Sequence, residues 1–588
     1  MELNAWITLA VLVAMLIVLA LDRIPPAATV LTATILLLFF GVLTEEEAFA
    51  GFSNSAPLTV AALYVLARGA EKTGLLGPFV GGVLGKSKEI NRLSLTRLLL
   101  PTAAVSGFVN NTPLVSMLMG EINSWCSQRN LSPSRLLMPL SFAAILGGTI
   151  TVIGTSTNLV ASGLLQERGQ DPIGLFEITP IGGVVALAGL VMLLTVVPIL
   201  LPLRRDVGKE ITDETRDFAI QMKVEEGGSL DGSSVSEAGL RHLEGVYLIE
   251  IERDGELITA VSPSRTLRGG DRLTFVGEIE RVVDLQKTRG LVSAEADHLL
   301  EVDRPGHTFY EAVVGNDSRL VGKSLADLNF RARYQAAVVA IHRAGERVKS
   351  KLGQVRIEPG DTLVLLAGTD FRTKSRQNRD FLVVAPLEGD APTATRKAPI
   401  VAVLALAVIG LSAFDVVPIF QAALGAAGLL VLLRVLSLGE ARDAIDLNVI
   451  VLIAAAFGVG TAMEATGLAK EIAGLATDAF GGLGNLGLIV ALVLATVLVT
   501  EIITNNAAVV VVLPIGLSIA SAAGMDLRII AISIAVAASA SFMTPMGYQT
   551  NTMVWGPGGY RFFDYIRAGL PVTIAVVIAN VAMTYTLA

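Results

Sequence analysis

Two long stretches of the chain, residues 4–203 and 396–588, are made of apolar runs the length of a membrane helix; the stretch between them, roughly 204–395, is not. About 20 apolar residues cross a bilayer as one helix. The pattern predicts full spans near 4–21, 27–43, 55–72, 135–162, 178–203, 398–414, 417–434, 447–464, 529–556 and 569–588. Two of them, 135–162 and 529–556, are interrupted by polar segments. Two more apolar regions, 95–123 and 486–523, carry adjacent asparagines midway. Each is too short for two full crossings and is expected to be a re-entrant hairpin. In the middle stretch, β-branched residues alternate with polar ones between Gly-Asp turns, which predicts short strands.

The two apolar stretches read as copies. Glu71-Lys72-Thr73-Gly74-Leu75 matches Glu464-Ala465-Thr466-Gly467-Leu468, Arg135 matches Arg528, and Gly154-x-x-Thr157-Asn158 matches Gly547-x-x-Thr550-Asn551, all 393 residues apart. Asn110-Asn111 matches Asn505-Asn506 at 395. With five crossings in each copy, the second is expected to be inverted relative to the first. Loop charge supports one orientation. With the N-terminus outside, Arg23, Lys86, Lys88, Arg92, Arg97, Arg129, Arg135, Arg204, Arg205, Arg434, Arg442, Arg561 and Arg567 fall inside, against Arg168, Lys470 and Arg528 outside. The domains expected are a first membrane repeat (1–203), a cytoplasmic insert (204–395) and a second, inverted membrane repeat (396–588).

Composition agrees and removes alternatives. Residues are 52% hydrophobic and 17% charged, where a soluble chain carries about 25% charge. Fifty-seven glycines suit helices that approach closely in lipid. A net charge of −8 without a basic stripe argues against nucleic acid. One cysteine, Cys126, and four scattered histidines supply neither a disulfide framework nor a metal-ligand spacing. The first apolar run lacks a basic leader and a small-residue cleavage site, so it is expected to stay as a membrane helix.

Polar backbone in hydrocarbon survives only against protein or a wet cavity, and transporters place such breaks at their binding sites. Here the breaks are Val109-Asn110-Asn111-Thr112-Pro113 with Gly154-Thr155-Ser156-Thr157-Asn158, and Thr504-Asn505-Asn506-Ala507 with Thr544 through Thr552. Pro113 and Pro545 interrupt helices; Gly154 and Gly547 let backbone approach an ion. The groups are neutral oxygens and amides, which suit a hard cation such as Na⁺. Glu501, one turn before Asn505, reads either as a proton-coupled carboxylate or, preferably, as an acceptor for backbone at the hairpin tip. Arg68 reads as a cation snorkelling from a helix end.

The segments FVNNTPLVSML, IGTSTNLVASG, TEIITNNAAVVVVLP and MTPMGYQTN resemble the divalent anion:sodium symporter family. The resemblance implies an α-helical polytopic fold of two inverted repeats, each with a re-entrant hairpin and a broken helix, embedded in lipid and forming a homodimer. It implies one Na⁺ site from Asn110, Asn111, Thr112, Gly154 and Asn158, and a second from Thr504, Asn505, Asn506, Gly547 and Asn551. Substrate would touch Asn111, Thr112, Ser156, Thr157, Asn506, Ala507 and Thr550. Where the family carries a hydroxyl, this chain has Ala507. That favours sulfate, which needs fewer and closer donors, over a dicarboxylate.

The insert is duplicated too, Arg253-Asp254-Gly255 and Gly270-Asp271 matching Arg343-Ala344-Gly345 and Gly360-Asp361, 90 residues apart. It resembles a tandem of TrkA-C domains (about 225–290 and 305–385), which implies pairing and control by a small ligand, or a passive dimerisation platform. No Gly-x-Gly-x-x-Gly loop marks a nucleotide companion. The expected protein is a sodium-coupled anion importer of the cell membrane with its insert in the cytoplasm, and not an enzyme, since no nucleophile–base pair is present. Alternatives are a dicarboxylate transporter, an arsenite-type permease running without Na⁺ and, remotely, a channel, which lacks a TVGYG-like filter.

Overall fold

The structure is a computed structural model. It describes residues 2–21, 24–75, 90, 92–127, 129, 131–201, 219–240, 246–253, 256–259, 261–277, 290–293, 307–315, 318–325, 327–328, 330–343, 346–348, 354–368, 371, 380–386, 396–414 and 416–588. Arg23, Lys86, Lys88, Arg204 and Arg205 of the loop-charge pattern, and Asp254, Gly255, Ala344 and Gly345 of the insert motifs, lie outside the described residues.

The first apolar stretch forms α1 (Leu3–Leu21), α2 (Pro26–Phe39), α3 (Ser55–Thr73), α4 (Arg92–Ser106), α5 (Asn111–Ser127), α6 (Ser134–Gly148), α7 (Ser156–Glu167) and α8 (Thr179–Thr195). The second forms α9 (Ala398–Ala413), α10 (Ile419–Leu432), α11 (Leu447–Ala465), α12 (Leu468–Phe480), α13 (Gly484–Ile502), α14 (Asn505–Ala523), α15 (Leu527–Ala538), α16 (Gln549–Trp555) and α17 (Phe562–Leu587). The interrupted spans are as the pattern predicts: α6 and α7 are separated by residues 149–155, α15 and α16 by 539–548. The expected hairpin regions hold α4 with α5 and α13 with α14, with nearly the expected bounds. The last two are 19 residues each, about 28 Å of helix at 1.5 Å per residue. The second region is therefore not too short for two crossings, since only residues 503–504 separate its two helices.

Matched features recur in three dimensions. Thr44 and Glu47 form a capping box at the start of the short helix Glu45–Phe49, and Ser437 and Glu440, 393 residues on, form the same box at Leu438–Ala444. Such boxes satisfy two otherwise orphaned amides. Glu440 also takes the Lys72 ammonium at 2.7 Å. Burial raises its pKa, but the hydrogen bonds from Lys72 and Ser437 outweigh that and bring it down to about 2.

The two copies interlock. α2 packs on α11 while α3 packs on α10, and α8 packs on α17. Equivalent helices thus contact each other reciprocally. Six of the described helical segments are long and apolar enough to cross a membrane. Large side chains such as Phe39, Phe414, Leu432 and Phe563 stand exposed on the helices, as lipid-facing surfaces require.

Among the described residues, the insert holds two five-stranded sheets. The first contains β1 (Ala219–Val224), β2 (Val246–Arg253), β3 (Glu256–Thr259), β4 (Arg272–Gly277) and β5 (Leu291–Ser293), in the order β3-β2-β4-β1-β5. The second contains β6 (His307–Val314), β7 (Ala336–Arg343), β8 (Glu346–Arg347), β9 (Thr362–Gly368) and β10 (Phe381–Pro386), in the order β10-β6-β9-β7-β8. Read from the opposite edge, the orders are identical, with antiparallel pairing throughout. The repeated Arg and Asp lock each module in the same way. Arg253 forks onto Asp271 at 2.7 Å through both nitrogens, and Arg343 onto Asp361 at 2.8 and 2.9 Å. Each aspartate is buried and also accepts the backbone N–H three residues earlier, at 2.8 Å.

Candidate functional site

The four predicted polar segments converge. Asn110, Asn111 and Thr112 sit where α4 turns into α5; Thr155 through Asn158 open α7; Thr504 through Ala507 open α14; Gly547 through Asn551 open α16. Contacts run between copies. Asn111 donates to the Tyr548 hydroxyl at 2.6 Å and Thr112 to Gln549 at 2.9 Å. Ser156 and Thr157 reach the Asn506 amide oxygen at 3.2 and 3.1 Å, and Asn505 donates to Thr157 at 2.8 Å. Thr155 and Tyr548 occupy the same place in the two copies, and their hydroxyls lie 3.2 Å apart.

The breaks are held open by identical devices. Asn158 donates to the carbonyls of Gly148 and Thr151 at 3.1 and 2.9 Å. Asn551 donates to those of Ser541 and Thr544 at 3.0 and 3.3 Å, both 393 residues on. The paired Gly-x-x-Thr-Asn motif therefore encodes a clamp across each break. The glycines are steric necessities: a Cβ on Gly154 would lie 2.5 Å from the Gly148 carbonyl oxygen, and one on Gly547 2.0 Å from Ser541 Oγ.

The asparagine oxygens differ. Asn551 Oδ1 accepts from Ser141 at 2.7 Å. Asn158 Oδ1 is buried with no hydrogen-bond partner, and so is Thr504 Oγ1. An unpaired buried oxygen costs about 1–3 kcal/mol, so a cation beside Asn158 would relieve a standing penalty. Among the described residues no cluster of His, Cys, Asp or Glu forms a metal site; neutral oxygens are what the breaks present.

The helix starts differ as well. α7, α14 and the seven-residue α16 begin without a side-chain cap; at the two longer helices this leaves amides and positive dipole ends free for an anion. At α5, Asn110 accepts the Thr112 amide at 3.2 Å. Glu501 accepts the Phe542 and Met543 amides at 2.8 and 2.9 Å, and the Ser541 and Thr544 hydroxyls at 3.2 and 2.9 Å. It thus satisfies the backbone of the second break. Arg68 does not merely snorkel; it pairs with Glu71 at 2.7 Å. Ala507 is buried, and Thr550 is tied to Ser141 at 2.8 Å.

Sequence reasoning missed Tyr548, Gln549, Ser106 and Ser141. Ser106 donates to Asn111 at 2.5 Å and Ala144 at 2.7 Å. Tyr548 and Gln549 occupy the variable positions of Gly-x-x-Thr-Asn, where the two copies differ, and that difference was the available signal. Beside the breaks, a cleft of about 80 Å³ lies between α3 and α9 on one side and Phe108–Asn110 with Ile153 and Ser156 on the other.

The sequence profile described as Citrate transporter matches residues 14–492. The chain belongs to the citrate transporter family. This is a sister of the symporter family that the hairpin motifs resemble, within one clan. Several relatives match nearly end to end. A Chlamydomonas reinhardtii protein whose name links it to the sulfur deprivation response is 35% identical over 93% of this chain and 96% of its own. An uncharacterized transporter of Synechocystis is 34% identical over 98% of this chain and 95% of its own. Sodium/sulfate cotransporter 1 of C. reinhardtii is 25% identical over 97% of this chain and 88% of its own. The chain is a multi-pass membrane transporter, in a family of transporters rather than enzymes.

Proposed function

We propose that this transporter imports sulfate with Na⁺ by alternating access, its second repeat inverted and its insert cytoplasmic. The observation that carries the reading is the pairing of two uncapped helix starts, α7 and α14, with an unpartnered buried amide oxygen at Asn158. The first suits an anion and the second a hard cation. The name of sodium/sulfate cotransporter 1 supports the same pair of cargoes. Na⁺ binds first at Asn158 with the neighbouring tip of Asn110 and Asn111, and a second Na⁺ binds at the Asn505-Asn506 tip. The anion then completes a neutralised site on Ser156, Thr157 and Asn506. Each net charge moved is worth about 2.3 kcal/mol per 100 mV, so more than two Na⁺ per sulfate makes uptake voltage-driven.

A dicarboxylate or citrate is the second reading. The family's description favours it, as does the apolar wall of the cleft that Asn110 and Ser156 share with Val60, Leu159 and Val408, which suits a carbon skeleton. The insert is proposed as a pair of TrkA-C-like regulatory modules. Support for its coupling to transport is that Gly360 and Thr362 of the second module lie against Trp555 and Gly556, at the end of α16.

Uptake of labelled sulfate and succinate into proteoliposomes, under Na⁺, H⁺ or no gradient, tests the reading. Sulfate uptake should require Na⁺ and vanish in Asn111→Ala and Asn506→Ala. Uptake of succinate alone moves the substrate to the second reading. Uptake indifferent to Na⁺ removes the symport.

A further inference from the structure

The two copies place different side chains at equivalent points of the site. Thr155 and Ser156 of the first break correspond to Tyr548 and Gln549 of the second. Thr112 of the first hairpin corresponds to Ala507 of the second. On one side, the long pair Tyr548 and Gln549 meets Asn111 and Thr112 and is hydrogen-bonded to both. On the other side, the corresponding residues are Thr155, Ser156 and Ala507, all short.

Further observations bear on this division. The α5 start is capped by Asn110; α7, α14 and α16 start without side-chain caps, and α16 is a single short segment of seven residues. The unpartnered oxygens, Asn158 Oδ1 and Thr504 Oγ1, belong to the starts of α7 and α14. Tyr548 itself is buried, and its hydroxyl reaches across to Thr155 at 3.2 Å.

We propose that Tyr548 and Gln549 set the size limit of the anion site: they fill one of its two equivalent halves, so that the anion rests on α7 and α14 alone and must be compact. This rests on the sulfate reading above and names the residues that enforce it. The starts of α7 and α14 meet through Ser156, Thr157, Asn505 and Asn506, so a compact tetrahedral oxyanion can reach both. A dicarboxylate extends its second carboxylate toward the half that the phenol and the amide occupy, where Asn111 and Thr112 already have partners.

The test installs the first copy's residues in the second. In proteoliposomes with a Na⁺ gradient, the native protein should take up labelled sulfate and exclude labelled succinate. The double variant Tyr548→Thr, Gln549→Ser should raise the ratio of succinate to sulfate uptake on the order of tenfold, the scale at which pocket shape discriminates. Tyr548→Phe keeps the ring and should keep succinate excluded. If the double variant runs as a single species on size exclusion, takes up sulfate and still excludes succinate, the size limit lies elsewhere and the proposal fails while the sulfate reading stands. If the native protein takes up succinate or no sulfate at all, the sulfate reading fails and the proposal with it. Should the double variant misfold, Gln549→Ser alone decides. Gln549 is exposed, and excess succinate should begin to compete with sulfate in that variant; absence of competition overturns the proposal.

Discussion

At the scale of single residues, the asparagines do two jobs with one side chain. Each Nδ2 clamps a break, and each Oδ1 faces whatever the break encloses. Because Ser141 already satisfies Asn551 Oδ1 while nothing satisfies Asn158 Oδ1, the two positions are not expected to respond alike. Asn158→Ala should weaken Na⁺ activation of uptake on the order of tenfold, or about 1.4 kcal/mol. Ser141→Ala frees Asn551 Oδ1 and should strengthen Na⁺ activation or leave it unchanged. Titrating uptake against Na⁺ concentration checks both, and an Asn158→Ala protein with native Na⁺ dependence would remove the cation from this position. The sequence made the motif legible because the clamp must be repeated wherever a helix is broken. It did not reveal which amide oxygen is already spoken for, since Ser141 is distant along the chain and carries no motif of its own.

At the scale of elements, the hydropathy pattern located the spans to within a few residues, because lipid imposes length and apolarity on each helix independently of its neighbours. It was less informative where helices end against protein. The region 486–523 was located, but α13 and α14 are each long enough to cross where a shorter hairpin was expected, and α12 was not anticipated at all. The second break likewise depends on a partner from another element. Glu501, at the end of α13, supplies the acceptor for two backbone amides and two hydroxyls of residues 541–544. The place 395 residues earlier is Ser106, which serves Asn111 and Ala144 instead. A carboxylate fully engaged as an acceptor is a structural part. Glu501→Gln should therefore lower the thermal stability of the detergent-solubilised protein, at about 1.5–3 kcal/mol for hydrogen bonds to a charged group. It should leave the shape of the pH–uptake profile unchanged. A profile that loses a titration step in Glu501→Gln would instead make this residue a proton carrier.

At the scale of the whole molecule, the duplications are nested: two membrane copies meet through their polar segments, and two modules of identical strand order are inserted at their junction. The modules do not hang free of the transport elements. A Cβ on Gly360 would lie 3.0 Å from the Trp555 ring. Val313 of β6 belongs to the same packed cluster as the membrane helices. Trp555 ends the short helix whose first residues are Gln549, Thr550 and Asn551, so the second module touches the helix that carries the clamp of the second break. That contact can be locked. A Cβ built on Gly556 lies 3.1 Å from Thr362 Cβ, so the two backbones must part by a few tenths of an ångström to reach the roughly 3.5–4.5 Å that a disulfide takes, and the chain's single cysteine, Cys126, is buried elsewhere. Thr362→Cys with Gly556→Cys should cross-link under mild oxidation, stop uptake, and recover on reduction, because the proposed alternating access would shift α16 against the second module. Uptake unaffected by a complete cross-link would mean that the second module travels with the second break as one body. The insert would then regulate only by what binds to it, and not by gripping the helix.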